Sequence, residues 1–221
     1  MPGRKRPAPR PRWKRRPEAR PEEILGAALE VFGELGFART RLEDVARRAG
    51  VSKGTLYLYF ENKEALFRAM VTAKLEATLT HAEEFIRTWP GSTPDLLRQF
   101  IREYWVTMNQ PEKLRLARVV LTELTSFPEL AKWYYQEVIL RLRRVIQDIL
   151  NRGISRGEFR RVHTVFTARA LQILVVHTSQ FLHFFQQYDP APLSADEMIE
   201  GILDLYMHAI EAAPAPAPAQ K

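Results

Sequence analysis

The chain has 221 residues, no cysteine, and 33 basic against 26 acidic residues, for a net charge of +7. This length allows one or two domains with substantial apolar cores. The lack of cysteine excludes disulfides, thiolate nucleophiles and cysteine-ligated metals, which suits a protein of the reducing cytoplasm.

The positive charge is concentrated at the N-terminus. Residues 1–16 contain eight Lys or Arg residues and no acidic one, so the rest of the chain is close to neutral. Residues 1–20 are rich in Pro and Arg and are predicted to be a disordered basic arm. Such an arm either contacts DNA phosphates or a minor groove, or remains a solvated tail. Both interpretations stay open.

The first predicted helix begins at Pro21, a residue that suits the first helical position. Glu22 and Glu23 then favour the positive end of the helix dipole. Apolar residues at helical spacing, from Ile24 to Leu35, form one stripe that ends at Gly36. This helix is expected to contribute core contacts behind the next two helices.

Residues 40–63 predict two short helices joined by a tight turn. Thr40 is placed to cap the first of them, with Glu43 three residues later completing a capping box. Gly50 follows the last apolar residue of that helix, where a left-handed cap costs least. Ser52 can then cap a second helix over residues 53–60, with Leu56 directed inward. This spacing is typical of a helix-turn-helix, whose second helix enters the DNA major groove.

The remaining chain repeats helix-length amphipathic segments separated by Pro or Gly. Asn62 can cap a long helix that reaches about residue 89, and no β-hairpin pattern appears. The apolar residues 168–185 include Gln172 and His183, so they predict a buried helix rather than a membrane span. No secretory signal is expected. The fold class is therefore predicted to be all-α, with about nine helices.

Enzymatic and metal-binding patterns are weak. Residues 153–157 match G-x-S-x-G, but a helix precedes them where a hydrolase nucleophile elbow needs a strand. No two histidines have the spacing of a helical metal site. We expect no catalytic residue, no metal and no cofactor.

The run Gly50-Val51-Ser52-Lys53-Gly54-Thr55-Leu56-Tyr57, followed by Tyr59-Phe60 and Asn62-Lys63, resembles the DNA-binding domain of the TetR family of bacterial transcriptional regulators. The resemblance is close over about residues 20–70. It implies four regions: a basic arm over 1–20, a three-helix DNA-binding domain over 21–70, a helical effector and dimerisation domain over 71–212, and a Pro/Ala tail over 213–221.

The resemblance also implies contacts with DNA. The residues expected to hold phosphates are Thr40, Tyr57, Tyr59 and Lys63. The residues expected at base edges, where an amine can donate to guanine and a glycine permits close approach, are Lys53, Gly54 and Thr55. The predicted surface is completed by Arg41, Ser52 and Leu58, of which Leu58 would contact a thymine methyl or nothing.

In this family the C-terminal domain encloses a small molecule and forms a homodimer through its last two long helices. Pockets of this kind are apolar with a few polar groups. The residues predicted to line the pocket are Trp105, Met108, Trp133, His177, Gln180 and Phe181. The expected partners are an operator in double-stranded DNA, a small-molecule effector and a second copy of the chain, without a membrane.

The sequence therefore predicts a sequence-specific DNA-binding regulator, a repressor that a small molecule releases from a palindromic operator. The alternative is a non-specific or architectural DNA-binding protein driven by the basic arm. That alternative would lose affinity steeply with salt and protect no defined palindrome.

Overall fold

The computed structural model describes residues 20–212, so residues 1–19 of the arm predicted over 1–20, and the tail over 213–221, lie outside the described residues. The described part of the chain contains ten α-helices, and none of them is long and apolar enough to cross a membrane. The helices are α1 (Arg20–Leu35), α2 (Leu42–Arg48), α3 (Lys53–Tyr59), α4 (Lys63–Thr88), α5 (Thr93–Met108), α6 (Pro111–Glu123), α7 (Pro128–Tyr134), α8 (Leu140–Ser155), α9 (Thr164–Phe184) and α10 (Ala195–Ile210).

A π-helical turn over Tyr135–Ile139 joins α7 to α8, so that the two form one nearly continuous helix from Pro128 onward. Counted in this way, residues 20–212 form nine helices, in agreement with the prediction of about nine. A π turn places one extra residue in the helical register, and such turns occur frequently at functional sites.

Three of the predicted helix ends of the helix-turn-helix are confirmed. Ser52 Oγ accepts a hydrogen bond from Thr55 N at 3.0 Å, and Asn62 Oδ1 accepts one from Ala65 N at 2.8 Å. Gly50 ends α2 in the left-handed region, with φ of 65°.

The predicted capping box of α2 is wrong by one residue. Arg41, not Thr40, is the N-cap, and Asp44 Oδ2 accepts a hydrogen bond from Arg41 N at 3.3 Å. Thr40 is buried, and its hydroxyl donates to Gly36 O at 2.6 Å. The physical reason is that α1 ends in a left-handed turn at Gly36, and its last carbonyls need donors.

One apolar core holds the DNA-binding helices together. Its centre is an aromatic group in which the Phe37 ring contacts the rings of Phe32, Phe67 and Phe127, with centroid distances from 4.7 to 5.6 Å. The same core includes Leu130, so α7 packs against the N-terminal helices. A second core, formed mainly by α4, α5, α8, α9 and α10, fills the C-terminal part.

Candidate nucleic-acid interface and ligand cavity

Helix α3 presents a continuous exposed surface. Leu56 is fully buried and Phe60, just past the helix end, is nearly so; these two anchor the helix. On the other side Leu58 is 85% exposed, while Tyr57 and Tyr59 are each 44% exposed. The predicted base-reading residues Lys53 and Gly54 are exposed at its first turn. Seven of the ten predicted DNA-binding residues lie on this helix or its cap, at positions 52–55 and 57–59.

Lys53 is held by a neighbour in the free protein. Its Nζ lies 2.5 Å from Glu43 Oε1 of α2 and 5.6 Å from the centre of the Tyr57 ring. The hydrogen bond from Lys53 lowers the pKa of Glu43, and the same contact raises the pKa of Lys53. The amine is therefore charged and pre-positioned at the outer edge of the helix-turn-helix.

Two residues predicted to hold phosphates make structural contacts in the free protein. Besides the buried Thr40, Lys63 donates from Nζ to the carbonyls of Phe37 and Ala38, both at 2.8 Å. The ammonium thus closes the loop between α1 and α2. Arg41 is exposed at the start of α2, and Thr55 Oγ1 lies 2.8 Å from Ser52 Oγ.

A cavity of about 510 Å³ lies between the two cores. Helices α4 to α9 and the π turn line it, mostly with apolar side chains such as Leu75, Val138 and Leu142. Its size is within the range of small-molecule pockets. The cationic lining residues are Lys74, Lys113, Arg143 and Arg169.

Three of the six predicted ligand residues line this cavity: Met108, His177 and Gln180. Phe181 instead lines a shallow groove with Phe185 and Met198 on the outer side of α9 and α10. Trp105 is only 5% exposed and packs in the C-terminal core. Trp133 packs against the N-terminal core, with the Arg68 guanidinium 5.1 Å from its ring.

The polar end of the cavity was not foreseen. Arg143 is 6% exposed, and its Nε donates to Gln172 Oε1 at 2.9 Å. Its Nη1 donates to the hydroxyl of Tyr135 at 3.3 Å. Arg143 lies in the run 141–144, which contains three arginines and reads in the sequence as a solvated helix face. Gln172 was visible as a polar residue within an apolar helix, and that was the one available signal.

Helix α6 touches both the cavity and the DNA-binding helices. Leu116, Ala117 and Val120 line the cavity. From the same helix, Glu123 Oε2 accepts a hydrogen bond from Ala38 N at 2.7 Å, and Arg118 donates to the carbonyl of Gly33. Through these two contacts, a displacement of α6 would also displace α1 and the α1–α2 loop.

Helices α9 and α10 leave apolar side chains in solvent. Phe166, Phe181 and Phe185 are 67%, 39% and 60% exposed at or just beyond α9, and Leu205 is 63% exposed on α10. Large exposed apolar side chains that lie close together, as do Phe181 and Phe185 with ring centroids 6.0 Å apart, commonly mark a protein interface.

Comparison with known proteins agrees with this architecture. The family profile described as "Bacterial regulatory proteins, tetR family" matches residues 24–70. The profile described as "AefR-like transcriptional repressor, C-terminal domain" matches residues 95–210, which is more than half of the chain.

Individual relatives are regulators as well. The chain is 27% identical over 149 residues to the "Fatty acid metabolism regulator protein" of Bacillus subtilis, covering 67% of this chain and 75% of that protein. It is 44% identical over 117 residues to the "HTH-type transcriptional regulator RutR" of Escherichia coli, covering 49% of this chain and 54% of RutR.

Solved structures share the fold. A TetR family transcriptional regulator from Pseudomonas syringae superposes with a TM-score of 0.67 at 24% identity, covering 89% of this chain and 99% of that one. FadR from Bacillus subtilis in complex with stearoyl-CoA gives a TM-score of 0.68 at 22% identity, covering 84% and 96%. With a helix-turn-helix at one end and a cavity behind it, and with both family profiles matched, the chain belongs to the TetR family of bacterial regulatory proteins and is a DNA-binding transcriptional regulator.

Proposed function

We propose that the protein is a homodimeric repressor that leaves a palindromic operator when a small amphipathic molecule enters the cavity. The observation that carries the proposal is the position of α6, whose residues line the cavity and also bind the DNA-binding helices. The regulator of similar fold that was solved with stearoyl-CoA supports a ligand with an apolar body. Since the family regulates transcription by binding DNA, we propose that the protein acts in the bacterial cytoplasm.

Ligand and DNA affinities are linked through the spacing of the two α3 helices in this mechanism. A ligand that pushes on Leu116 and Val120 displaces α6, which carries α1 and the α1–α2 loop with it through Glu123. Because α3 packs on the same core, its position relative to the partner's α3 changes. Coupling of this kind is reciprocal, so operator DNA lowers ligand affinity by the same factor.

A second copy of the chain is the proposed cover for the exposed apolar face of α9 and α10. Two copies packed through these helices form a four-helix interface about a two-fold axis. The resulting symmetry requires a palindromic DNA site, with one α3 in each of two major grooves.

DNA binding by α3 can be tested at Lys53. We expect Lys53→Ala to weaken binding to the preferred site by about 1–3 kcal/mol and to relax base preference, because a donor to base edges is lost. The preferred site is first selected from random DNA, and affinities are then measured by fluorescence anisotropy. Lys132→Ala, on an exposed lysine of α7, is the matched control and should bind as the wild type does. Equal weakening on selected and random DNA would contradict base reading by Lys53.

The docking of α6 on the α1–α2 loop can be tested at Gly36. Its φ is 81°, and a Cβ there would collide with the Glu123 carboxylate. We expect Gly36→Ala to destabilise the protein by about 2–3 kcal/mol, from the strained backbone and the loss of the hydrogen bond between Ala38 and Glu123.

Gly50→Ala is the matched control for this test, because Gly50 also has a positive φ but open space around its Cβ position. Gly50→Ala should lower the free energy of unfolding only by the cost of the strained backbone, about 1–2 kcal/mol. Urea unfolding of the two variants measures the difference. Equal destabilisation would mean that the contact with Glu123 contributes nothing to the packing of α6.

A further inference from the structure

The cavity lining is positively charged. Among residues 20–212 it includes four Lys or Arg side chains and no Asp or Glu. Lys74 is neutralised from outside the cavity by Glu112, whose Oε2 lies 2.9 Å from Nζ. Lys113 is half-buried, and burial lowers its pKa, with the neighbouring charge of Lys74 adding to the effect. Burial thus opposes the charge on Lys113, whereas a guanidinium is always charged, so Arg143 and Arg169 are the lasting positive charges of the lining.

Arg143 is the most enclosed of these cations. Its two described hydrogen bonds go to neutral groups, Gln172 and Tyr135, and within residues 20–212 its guanidinium forms no ion pair with a carboxylate. A guanidinium has five N–H donors, so donors remain beyond these two bonds. A buried charge without a counter-charge is costly, whereas a bound anion would compensate it.

The neighbours of Arg143 fix its direction. Gln172 donates from Nε2 to Ile139 O at 3.1 Å, which leaves its Oε1 to accept from Arg143. The carbonyl of Ile139 and the Tyr135 hydroxyl both belong to the π turn. The hydrogen bond and the charge of Arg143, with the charge of Arg169, lower the pKa of Tyr135. The guanidinium is thus positioned by neutral groups before any ligand arrives.

The geometry points to an amphipathic anion as the effector, with its carboxylate or phosphate group on Arg143 and its apolar body along Leu75, Val138 and Leu142. This inference rests on the proposed function of the cavity and adds the charge of the ligand. Guanidinium groups match carboxylate and phosphate oxygens in geometry and form charge-assisted hydrogen bonds with them.

The test uses four probes with ten-carbon chains: decanoate, decyl phosphate, decanoyl-CoA and decanol. Binding to the full chain is measured by titration calorimetry. We expect decanoate or decyl phosphate to bind about 10-fold or more tightly than decanol, as a hydrogen bond to a charged group predicts. Decanoyl-CoA distinguishes the source of the anion, because its thioester lacks a carboxylate and its charge lies on nucleotide phosphates.

The variant Arg143→Gln should bring the affinities for anion and alcohol to within a few-fold of each other, and Arg143→Lys should keep part of the preference. Arg144→Gln is the matched control, since Arg144 is exposed and lines a different groove. Equal binding of decanol and the anions by the wild type, no binding of any probe, or an unchanged preference in Arg143→Gln would each overturn the inference.

Operator release is measured separately with the same probes. Anion-selective binding without loss of DNA affinity would contradict the proposed ligand control while supporting the anion site. Release by decanol as effective as release by decanoate would support ligand control and contradict the anion site.

Discussion

The variant Phe37→Ala is expected to be destabilised by about 3–5 kcal/mol, the range for truncating a fully buried aromatic side chain. Phe37 has no exposed surface and lies among the rings of Phe32, Phe67 and Phe127. Its removal leaves a cavity where α1, α4 and the segment before α7 meet. Urea unfolding followed by circular dichroism measures the loss.

Truncation of an exposed side chain away from the proposed dimer face is the control. Val106 is 62% exposed on α5, so Val106→Ala should change the free energy of unfolding by no more than about 0.5 kcal/mol. Comparable losses at the two positions would contradict the assignment of Phe37 to a shared core.

The second large effect concerns assembly. The double variant Phe181→Asp with Leu205→Asp places a charge on each helix of the proposed interface and is expected to yield monomers. A monomer engages one half-site at a time, so affinity for the palindrome should fall by about 10²–10⁴-fold, the usual gain from linked sites. Sedimentation velocity gives the oligomeric state, and anisotropy with the selected DNA site gives the affinity.

The control is Val106→Asp, which adds the same charge at a 62% exposed valine of α5. It should leave both mass and DNA affinity unchanged. If the double variant of α9 and α10 still sediments as a dimer, the two copies must meet through another surface.

Local chemistry made the DNA-binding helices predictable. Each of these helix ends depends on one nearby residue: Ser52 and Asn62 accept hydrogen bonds from backbone N–H groups three residues later, and Gly50 adopts a positive φ. The local sequence was therefore enough to predict them. The error at Thr40 arose because both Glu43 and Asp44 follow a polar residue by three, and the sequence does not show that the turn at Gly36 needs the Thr40 hydroxyl.

The cavity was less predictable because its polar end depends on contacts between distant segments. Arg143 and Gln172 are 29 residues apart, and the π turn that carries Tyr135 leaves no local pattern. Trp105 and Trp133 are aromatic residues of the kind that line ligand pockets, but they pack in the two cores. Apolar periodicity identifies which face of a helix is buried, not whether a space remains beside it.

The packing of α7 on the aromatic group around Phe37 has a consequence for protein engineering. The core of the DNA-binding helices is completed by Phe127 and Leu130, which lie more than fifty residues beyond residue 70. A chimera that joins residues 20–70 to the effector domain of another regulator would therefore need compatible apolar side chains at those two positions. The DNA-binding helices of this regulator can therefore be exchanged only together with residues of the effector domain that complete their core.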